Sequence, residues 1–132
     1  MLFRGMLSAE DTLPQVGRSG RTLGVRVPED ITPDANGDVR PGTGGMSVAP
    51  SSMWDVPHFR RPRKMGRGAS GPDNCCVYAI EEGALTPHPL GVSLDPHSYR
   101  PHAFIEPCTT MQLAAYEDAL TNTRNSWRRV FP

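Results

Sequence analysis

Proline and glycine recur so often along this chain that none of its regular elements can be long. There are 14 prolines and 13 glycines among 132 residues. Proline lacks a backbone N–H and glycine loses the most entropy on ordering, so both residues interrupt helices and strands. The sequence therefore predicts either a loop-rich fold of short strands or partial disorder. The length fits one domain, residues 1–132, with a small core.

The charge balance and the apolar pattern disfavour two classes of partner. The 14 basic and 14 acidic residues cancel, so no strong electrostatic attraction to nucleic acid or to an anionic membrane follows. No apolar run approaches the roughly 20 residues that span a bilayer. Polar residues follow Met1-Leu2-Phe3-Arg4 at once, which does not match the apolar centre of a secretory signal.

Short apolar or alternating runs predict a set of strands. Cys75 to Ile80 is the clearest of them, and Glu81-Glu82-Gly83 ends it in a polar turn. We expect further strands at 1–7, 23–27, 45–49, 90–94 and 102–106. Asn36-Gly37 predicts a tight turn. The core candidates in these strands are Val77, Ala79, Leu94, Phe104 and Ile105.

One helix is predicted near the C-terminal end. Thr109 can cap it, with Gln112 three residues later and Pro107 just outside. The residues of its apolar face recur at helical spacing: Leu113, Tyr116, Leu120 and Trp127. Positive charge near its end would come from Arg124, Arg128 and Arg129. We expect this helix to pack against the core. An arginine-rich helix that binds a membrane or nucleic acid is disfavoured, because Glu117 and Asp118 balance its positive charge.

The order of these elements predicts the fold class. Short strands, a long loop, more strands and a C-terminal helix indicate an α+β domain with one or two small antiparallel sheets. The long loop is the segment 51–74, and it is basic. Its cations are Arg60, Arg61, Arg63, Lys64 and Arg67. We expect this basic segment to be an exposed, mobile surface loop, with contact to a phosphate-bearing ligand or an acidic partner as the alternative.

The three cysteines form no recognisable framework. Cys75 and Cys76 are adjacent and Cys108 is distant, which fits neither a disulfide scaffold nor the C-x-x-C pairs of a zinc site. We expect them to be small buried hydrophobes, with no metal bound.

Three separate segments carry the residues most suited to binding a ligand. The stretch from Pro41 to Val48 holds three glycines in four positions, followed by Ser47. Glycine lets backbone amides approach a bound group closely. Arg4 lies in the first predicted strand and His102 in the last. We expect the arginine, the glycine-serine edge and the histidine to converge on one cleft.

Four stretches of the chain match, in order, the pattern of one known family. Leu2-Phe3-Arg4-Gly5 resembles its first strand, and Pro41 to Val48 resembles its glycine-glycine-threonine-serine-valine segment. Leu94-Asp95 followed by His102 to Pro107 resembles its leucine–aspartate turn and histidine strand. Met111 to Trp127 resembles its terminal helix. The family is that of the type VI secretion exported effector 2 toxins, whose fold resembles ADP-ribosyltransferases.

The resemblance implies an ADP-ribosyltransferase-like fold and an enzyme that uses NAD as its substrate, by transferring ADP-ribose or hydrolysing NAD. The residues expected to contact NAD are Arg4, Thr43, Gly44, Gly45, Ser47 and His102. Catalytic roles are expected for Arg4, Ser47 and His102. Arginine offers planar donors to a phosphate or a ribose hydroxyl. Glu106 shares a strand face with His102 and is a candidate for the glutamate that many such enzymes use.

Three features depart from the family pattern. The chain begins at the first predicted strand, so we expect no segment upstream of it. Met46 stands where the family has a threonine, which leaves Ser47 as the remaining hydroxyl. The basic segment is also longer and more basic than its counterpart. A binding or interaction module that kept the fold and lost the chemistry is therefore the alternative function. The resemblance further implies an unidentified target macromolecule, an immunity protein, and action in the cytoplasm, or secretion without a signal peptide into a target-cell cytoplasm.

Overall fold

Eight short strands and one α-helix make up the regular structure of residues 1–131, which the computed structural model describes. The strands are β1 (Leu2–Leu7), β2 (Asp38–Val39), β3 (Met46–Val48), β4 (Cys75–Ile80), β5 (Leu90–Leu94), β6 (Ala103–Pro107), β7 (Met111–Gln112) and β8 (Arg128–Phe131). The helix α1 spans Leu113–Asn122. Single 3-10 turns lie at Met53–Asp55, His58–Arg60, Arg63–Met65, Glu82–Ala84 and Arg124–Ser126.

The strands form two three-stranded sheets and one two-stranded ribbon, all antiparallel. The first sheet has the order β1-β4-β8, the second the order β3-β6-β5, and the ribbon pairs β2 with β7. The two larger sheets meet where Phe3 and Ala49 exchange backbone hydrogen bonds of 2.9 and 2.8 Å. We call this junction of β1 with the end of β3 the seam. Antiparallel sheets with one helix confirm the predicted α+β class.

Strand β4 lies at the centre of the packing, and all six of its residues are buried. Successive side chains of a strand point to opposite faces. Tyr78 and Ile80 pack in the main core, whereas Val77 packs in a smaller cluster with Val56 and Met65. The basic segment therefore covers the second face of this sheet, and the sheet is buried on both sides.

Most of the predicted strands are present. The strands expected at 1–7, 75–80 and 90–94 are β1, β4 and β5, and those expected at 45–49 and 102–106 are β3 and β6 with slightly different ends. The tight turn is confirmed, because Gly37 has φ of +80° and donates to the carbonyl of Asp34 at 2.9 Å. The prediction of a strand at 23–27 is wrong. Leu23 and Val25 are buried, but they lie in a loop whose carbonyls serve a side chain described below.

The core prediction was right for three residues of five. Val77, Ala79 and Ile105 are buried and Phe104 is half-buried. Leu94 is 71% exposed, because it ends β5 at the edge of its sheet. Cys75 and Cys76 are buried as expected, whereas Cys108 is exposed because it follows the end of β6.

The predicted helix is shorter at both ends. It begins at Leu113 rather than after Thr109, because Met111 and Gln112 pair with β2 instead. Tyr116 and Leu120 are buried as predicted. Trp127 is also buried, but it lies beyond the helix, where its Nε1–H donates to Thr123 Oγ1 at 3.0 Å. The arginines expected at the end of the helix, Arg128 and Arg129, belong to strand β8.

The basic segment is not the solvated loop that its composition predicts. Arg61 is 5% exposed, its Nε–H donates to the carbonyl of Val56 at 2.9 Å, and its guanidinium lies 5.7 Å from the ring centre of Trp54. Arg60 is half-buried. The prediction of exposure is therefore wrong for these two arginines and right for Arg63, Lys64 and Arg67. The cause is burial of the segment's apolar residues against β4.

Within residues 1–131, no helix has the length and apolar character needed to cross a membrane.

Arg61 should contribute to stability, and its exposed neighbour Arg63 should not. Replacing Arg61 with alanine should lower the free energy of unfolding by about 1–3 kcal/mol, because a buried carbonyl loses its donor. Arg63→Ala should change it by no more than about 0.5 kcal/mol. Urea denaturation of the two variants measures the difference. Equal stability would show that Arg61 has no structural role.

Candidate active site

A cavity of about 420 Å³ opens at the seam. Its walls come from β1, from the end of β3, from the basic segment and from residues 98–102 before β6. In the part of the chain that the structure describes, the seam joins the two larger sheets through a single residue pair. A volume in the range of roughly 300–1,000 Å³ is typical of small-molecule sites, so this cavity is the candidate site.

The structure brings together the three residues that the sequence predicts to converge. Arg4, Ser47 and His102 all line the cavity. Strand pairing explains the meeting, because Ser47 in β3 lies opposite Phe104 in β6, two residues beyond His102. The seam then places β1, which carries Arg4, beside β3.

Arg4 is buried, and its guanidinium is largely occupied by backbone carbonyls. Its Nη1 donates to the carbonyl of Ser47 at 2.7 Å, and its Nε and Nη2 donate to that of Thr22 at 3.2 and 2.9 Å. Nη2 also donates to the carbonyl of Ser19 at 3.3 Å. Guanidinium has five N–H donors, and within residues 1–131 these bonds leave one of them, on Nη1, for a ligand. Burial lowers the pKa of Arg4 to about 10, so the group stays charged at neutral pH.

His102 is oriented by a carboxylate that the sequence reasoning did not assign. Its Nδ1 lies 3.0 Å from Oδ2 of Asp95, and its ring packs edge-on against Phe104. The N–H of His97, then the hydrogen bond to His102, lower the pKa of Asp95. An ionised carboxylate only accepts hydrogen bonds, so Nδ1 carries a proton, and in the neutral tautomer of this ring Nε2 is the acceptor.

The signal for this pair was present in the sequence. Leu94-Asp95 ends one strand and His102 precedes the next, and the register of the hairpin sets Leu94 opposite Ala103. The flanking residues, Asp95 and His102, are therefore neighbours across the hairpin. In the sequence, Asp95 contributed only to the resemblance to the toxin family.

Ser47 offers a free hydroxyl to the cavity. Its backbone carbonyl accepts from Arg4, whereas its Oγ has no hydrogen-bond partner among the residues that the structure describes. The side chain is half-buried. A hydroxyl in this position can both donate to a ligand and accept from it.

Arginines outnumber carboxylates around the cavity. Arg26 and Asp30 form an ion pair of 2.9 Å. Burial alone would raise the pKa of Asp30, but hydrogen bonds from Arg26 hold it below its ordinary value. Arg60 and Arg100 also line the cavity, and neither side chain forms a hydrogen bond or an ion pair within residues 1–131. Neither Arg26 nor Asp30 was predicted from the sequence, although their spacing of four residues across the turn at 27–30 was a weak signal.

The glycines of the predicted ligand loop lie outside the cavity lining and serve close backbone packing. Gly44 has φ of +109°, and a Cβ there would overlap the carbonyl oxygen of Asp30. A Cβ at Gly45 would overlap the carbonyl oxygen of Ile105. Thr43 also lies outside the lining, where its hydroxyl donates to the carbonyl of Arg40 at 2.7 Å. Contacts of these three residues with NAD therefore stay predictions from the resemblance.

Glu106 lies farther along β6 than the cavity. Its carboxylate accepts the backbone N–H of Gly42 at 2.8 Å, which holds the glycine turn. Its catalytic role stays a prediction. Met46 is fully buried in the main core and does not line the cavity. Within residues 1–131, no group of three or more His, Cys, Asp or Glu side chains could hold a metal ion.

Comparison with known proteins identifies one family. The family model described as Tse2 ADP-ribosyltransferase toxin matches residues 4–127, nearly the whole chain. No curated protein and no solved structure matches the chain.

Arg4 should be needed for stability as well as for the site. Arg4→Ala should lower the free energy of unfolding by roughly 2–4 kcal/mol, because buried carbonyls on both sides of the seam lose their charged donor. Arg100→Ala is the matched control, since Arg100 also lines the cavity but is exposed. Urea denaturation compares the two variants. A fully stable Arg4→Ala variant would show that the hydrogen bonds of Arg4 do not hold the two sheets together.

Proposed function

Because this chain belongs to the Tse2 ADP-ribosyltransferase toxin family, we propose that it consumes NAD in the cytosol of a target cell. It would transfer ADP-ribose to a target macromolecule, or hydrolyse NAD where water is the acceptor. The observation that carries the proposal is the meeting of Arg4, Ser47 and His102 in one cavity. Delivery by type VI secretion and an immunity protein in the producing cell belong to the same proposal.

The reaction makes defined demands on the cavity. The bond between nicotinamide and ribose breaks through a transition state in which positive charge develops on the ribose, so the ribose must be held and oriented. Preorganised polar groups stabilise such charge better than water does. The diphosphate of NAD also needs cations. The excess of arginine over carboxylate around the cavity suits that anion.

Ser47 and His102 would orient the nicotinamide ribose. The hydroxyl of Ser47 would hydrogen-bond a ribose oxygen, and Nε2 of His102 would accept from a ribose hydroxyl. Asp95 would keep the imidazole in the tautomer that this contact needs, through its 3.0 Å contact with Nδ1. Each group is in place before the ligand arrives, which lowers the cost of ordering the site.

Arg4 would act mainly by positioning. It holds the carbonyl of Ser47, and thereby that residue's backbone, and it retains one N–H for the ligand. The carboxylates that line the cavity are Asp30 and Asp55, whereas Glu106 would act indirectly by holding the glycine turn.

A binding module that lost the chemistry is the second candidate. The occupation of the Arg4 guanidinium by carbonyls favours it. Met46 is weak support for a binding module, because its side chain is buried in the core and does not line the cavity.

Nicotinamide release separates the two candidates. The purified chain should release nicotinamide from NAD, measured by chromatography. Ser47→Ala should lower kcat/KM by about 5- to 30-fold, the loss of one hydrogen bond of about 1–2 kcal/mol. Ser93→Ala is the matched control, because Ser93 is also half-buried on a strand but does not line the cavity. NAD binding without release would select the binding module, and absence of binding would refute both candidates.

Expression of the chain inside a bacterial cytoplasm should arrest growth. His102→Ala at equal soluble expression should restore most of it, because the imidazole that orients the ribose is lost. His97→Ala is the control, since His97 lies on the same turn outside the cavity lining. Growth curves with immunoblotting measure the effect. Normal growth with soluble wild-type protein would contradict the toxin proposal.

A further inference from the structure

The side chain of Arg60 lines the cavity without a hydrogen-bond or ion-pair partner among residues 1–131. The residue is half-buried. Two other arginines of the cavity are engaged, the buried Arg4 by carbonyls and the exposed Arg26 by Asp30. Burial, then the positive charges of Arg21 and Arg26, lower the pKa of Arg60. An anionic ligand would offset both costs by pairing with the charge of the guanidinium.

The backbone of Arg60 is held against the first sheet. Its carbonyl oxygen occupies the space that a Cβ at Gly5 would need, so glycine in β1 permits this contact. The same oxygen accepts from the buried thiol of Cys75 at 3.2 Å. Its N–H donates to the carbonyl of Pro57 at 2.8 Å. The residue is therefore anchored to β1 and β4, unlike the exposed cations later in the basic segment.

The side chain is also placed by its neighbours. A Cβ at Gly20 would overlap Nη2 of Arg60, so the guanidinium lies directly over the backbone at Gly20. Its carbon Cζ lies 5.1 Å from the ring centre of Phe59, which lines the cavity as well. An aromatic face at this distance stabilises a cation but leaves its N–H edge for another group.

We propose that Arg60 binds the diphosphate of the dinucleotide, an inference that rests on the proposed NAD-consuming function. The planar guanidinium can donate two parallel hydrogen bonds to phosphate oxygens. Arg4 has one N–H left and cannot make that paired contact. The basic segment therefore supplies the phosphate contact in this chain.

Binding of ADP-ribose, measured by calorimetry, tests the proposal. Arg60→Gln should weaken ADP-ribose binding by about 10- to 100-fold, the effect of losing charge-assisted hydrogen bonds. Nicotinamide riboside, which has no phosphate, should bind wild type and variant within about twofold, since a residue that contacts only phosphate adds nothing there. Arg63→Gln, an exposed cation of the same segment, should leave ADP-ribose binding unchanged.

Gly20→Ala tests the placement without removing the charge. The added methyl group would displace the guanidinium, so ADP-ribose binding should weaken while the melting temperature holds. This variant decides the question if Arg60→Gln does not fold. Raised salt should also weaken wild-type binding more than binding by Arg60→Gln.

The outcomes separate this inference from the proposed function. Wild-type protein that binds neither ADP-ribose nor NAD would overturn the proposed function. Wild-type protein that binds ADP-ribose no better than Arg60→Gln does would overturn the inference alone. Equal weakening of ADP-ribose and nicotinamide riboside would also overturn it, because Arg60 would then only shape the cavity.

Discussion

The buried guanidinium of Arg4 determines how the two larger sheets meet. It extends from β1 to the carbonyl of Ser47 in β3 and to the carbonyls of Thr22 and Ser19 in the loop beyond. A charge is costly to bury unless dipoles replace its water, and here several carbonyl dipoles do so. Among residues 1–131, the seam has a single pair of backbone partners. The side chain thus supplies the contacts that a longer strand pairing would otherwise make, and it leaves room for a cavity beside it.

A second buried polar group fixes the other side of β3. The hydroxyl of Tyr116 in α1 donates to the carbonyl of Ile105 and accepts the N–H of Met46 at 3.1 Å. Burial raises the pKa of Tyr116, so the phenol keeps its proton. Gly45 allows this approach, since a Cβ there would crowd the Tyr116 hydroxyl. The helix therefore holds the strand that carries Ser47, and the glycine segment acts on the site through packing.

The cations of the basic segment lie in different environments and have different roles. Arg60 lines the cavity, Arg61 lies beneath Trp54, and Arg63 is exposed. Each difference arises because Val56 and Met65 are buried against β4. Their burial places the arginines between them at different depths. Their charge alone does not predict which of these arginines is buried, because the burial of the neighbouring apolar residues decides which cation loses contact with water.

Local sequence patterns were enough to predict several strands and a turn of this protein. The apolar run at 75–80, the pattern at 90–94 and the Asn36-Gly37 turn each depend on neighbouring residues, and each matches an element of the structure. The order of the motifs also indicated that Arg4, Ser47 and His102 belong to one cleft. These inferences succeeded because side-chain alternation and turn chemistry act over a few residues.

Only the tertiary structure decided which polar groups remain free. The carbonyls of Ser19, Thr22 and Gly24 bind Arg4, so this stretch serves a side chain and does not form the strand expected at 23–27. Arg128 to Phe131 pairs with β4 instead of continuing the helix, because an open edge of that sheet lies within reach. The partners of Arg4 are 15 to 43 residues away in sequence. Hydrogen bonds over such separations depend on how the whole chain packs, and no local pattern encodes them.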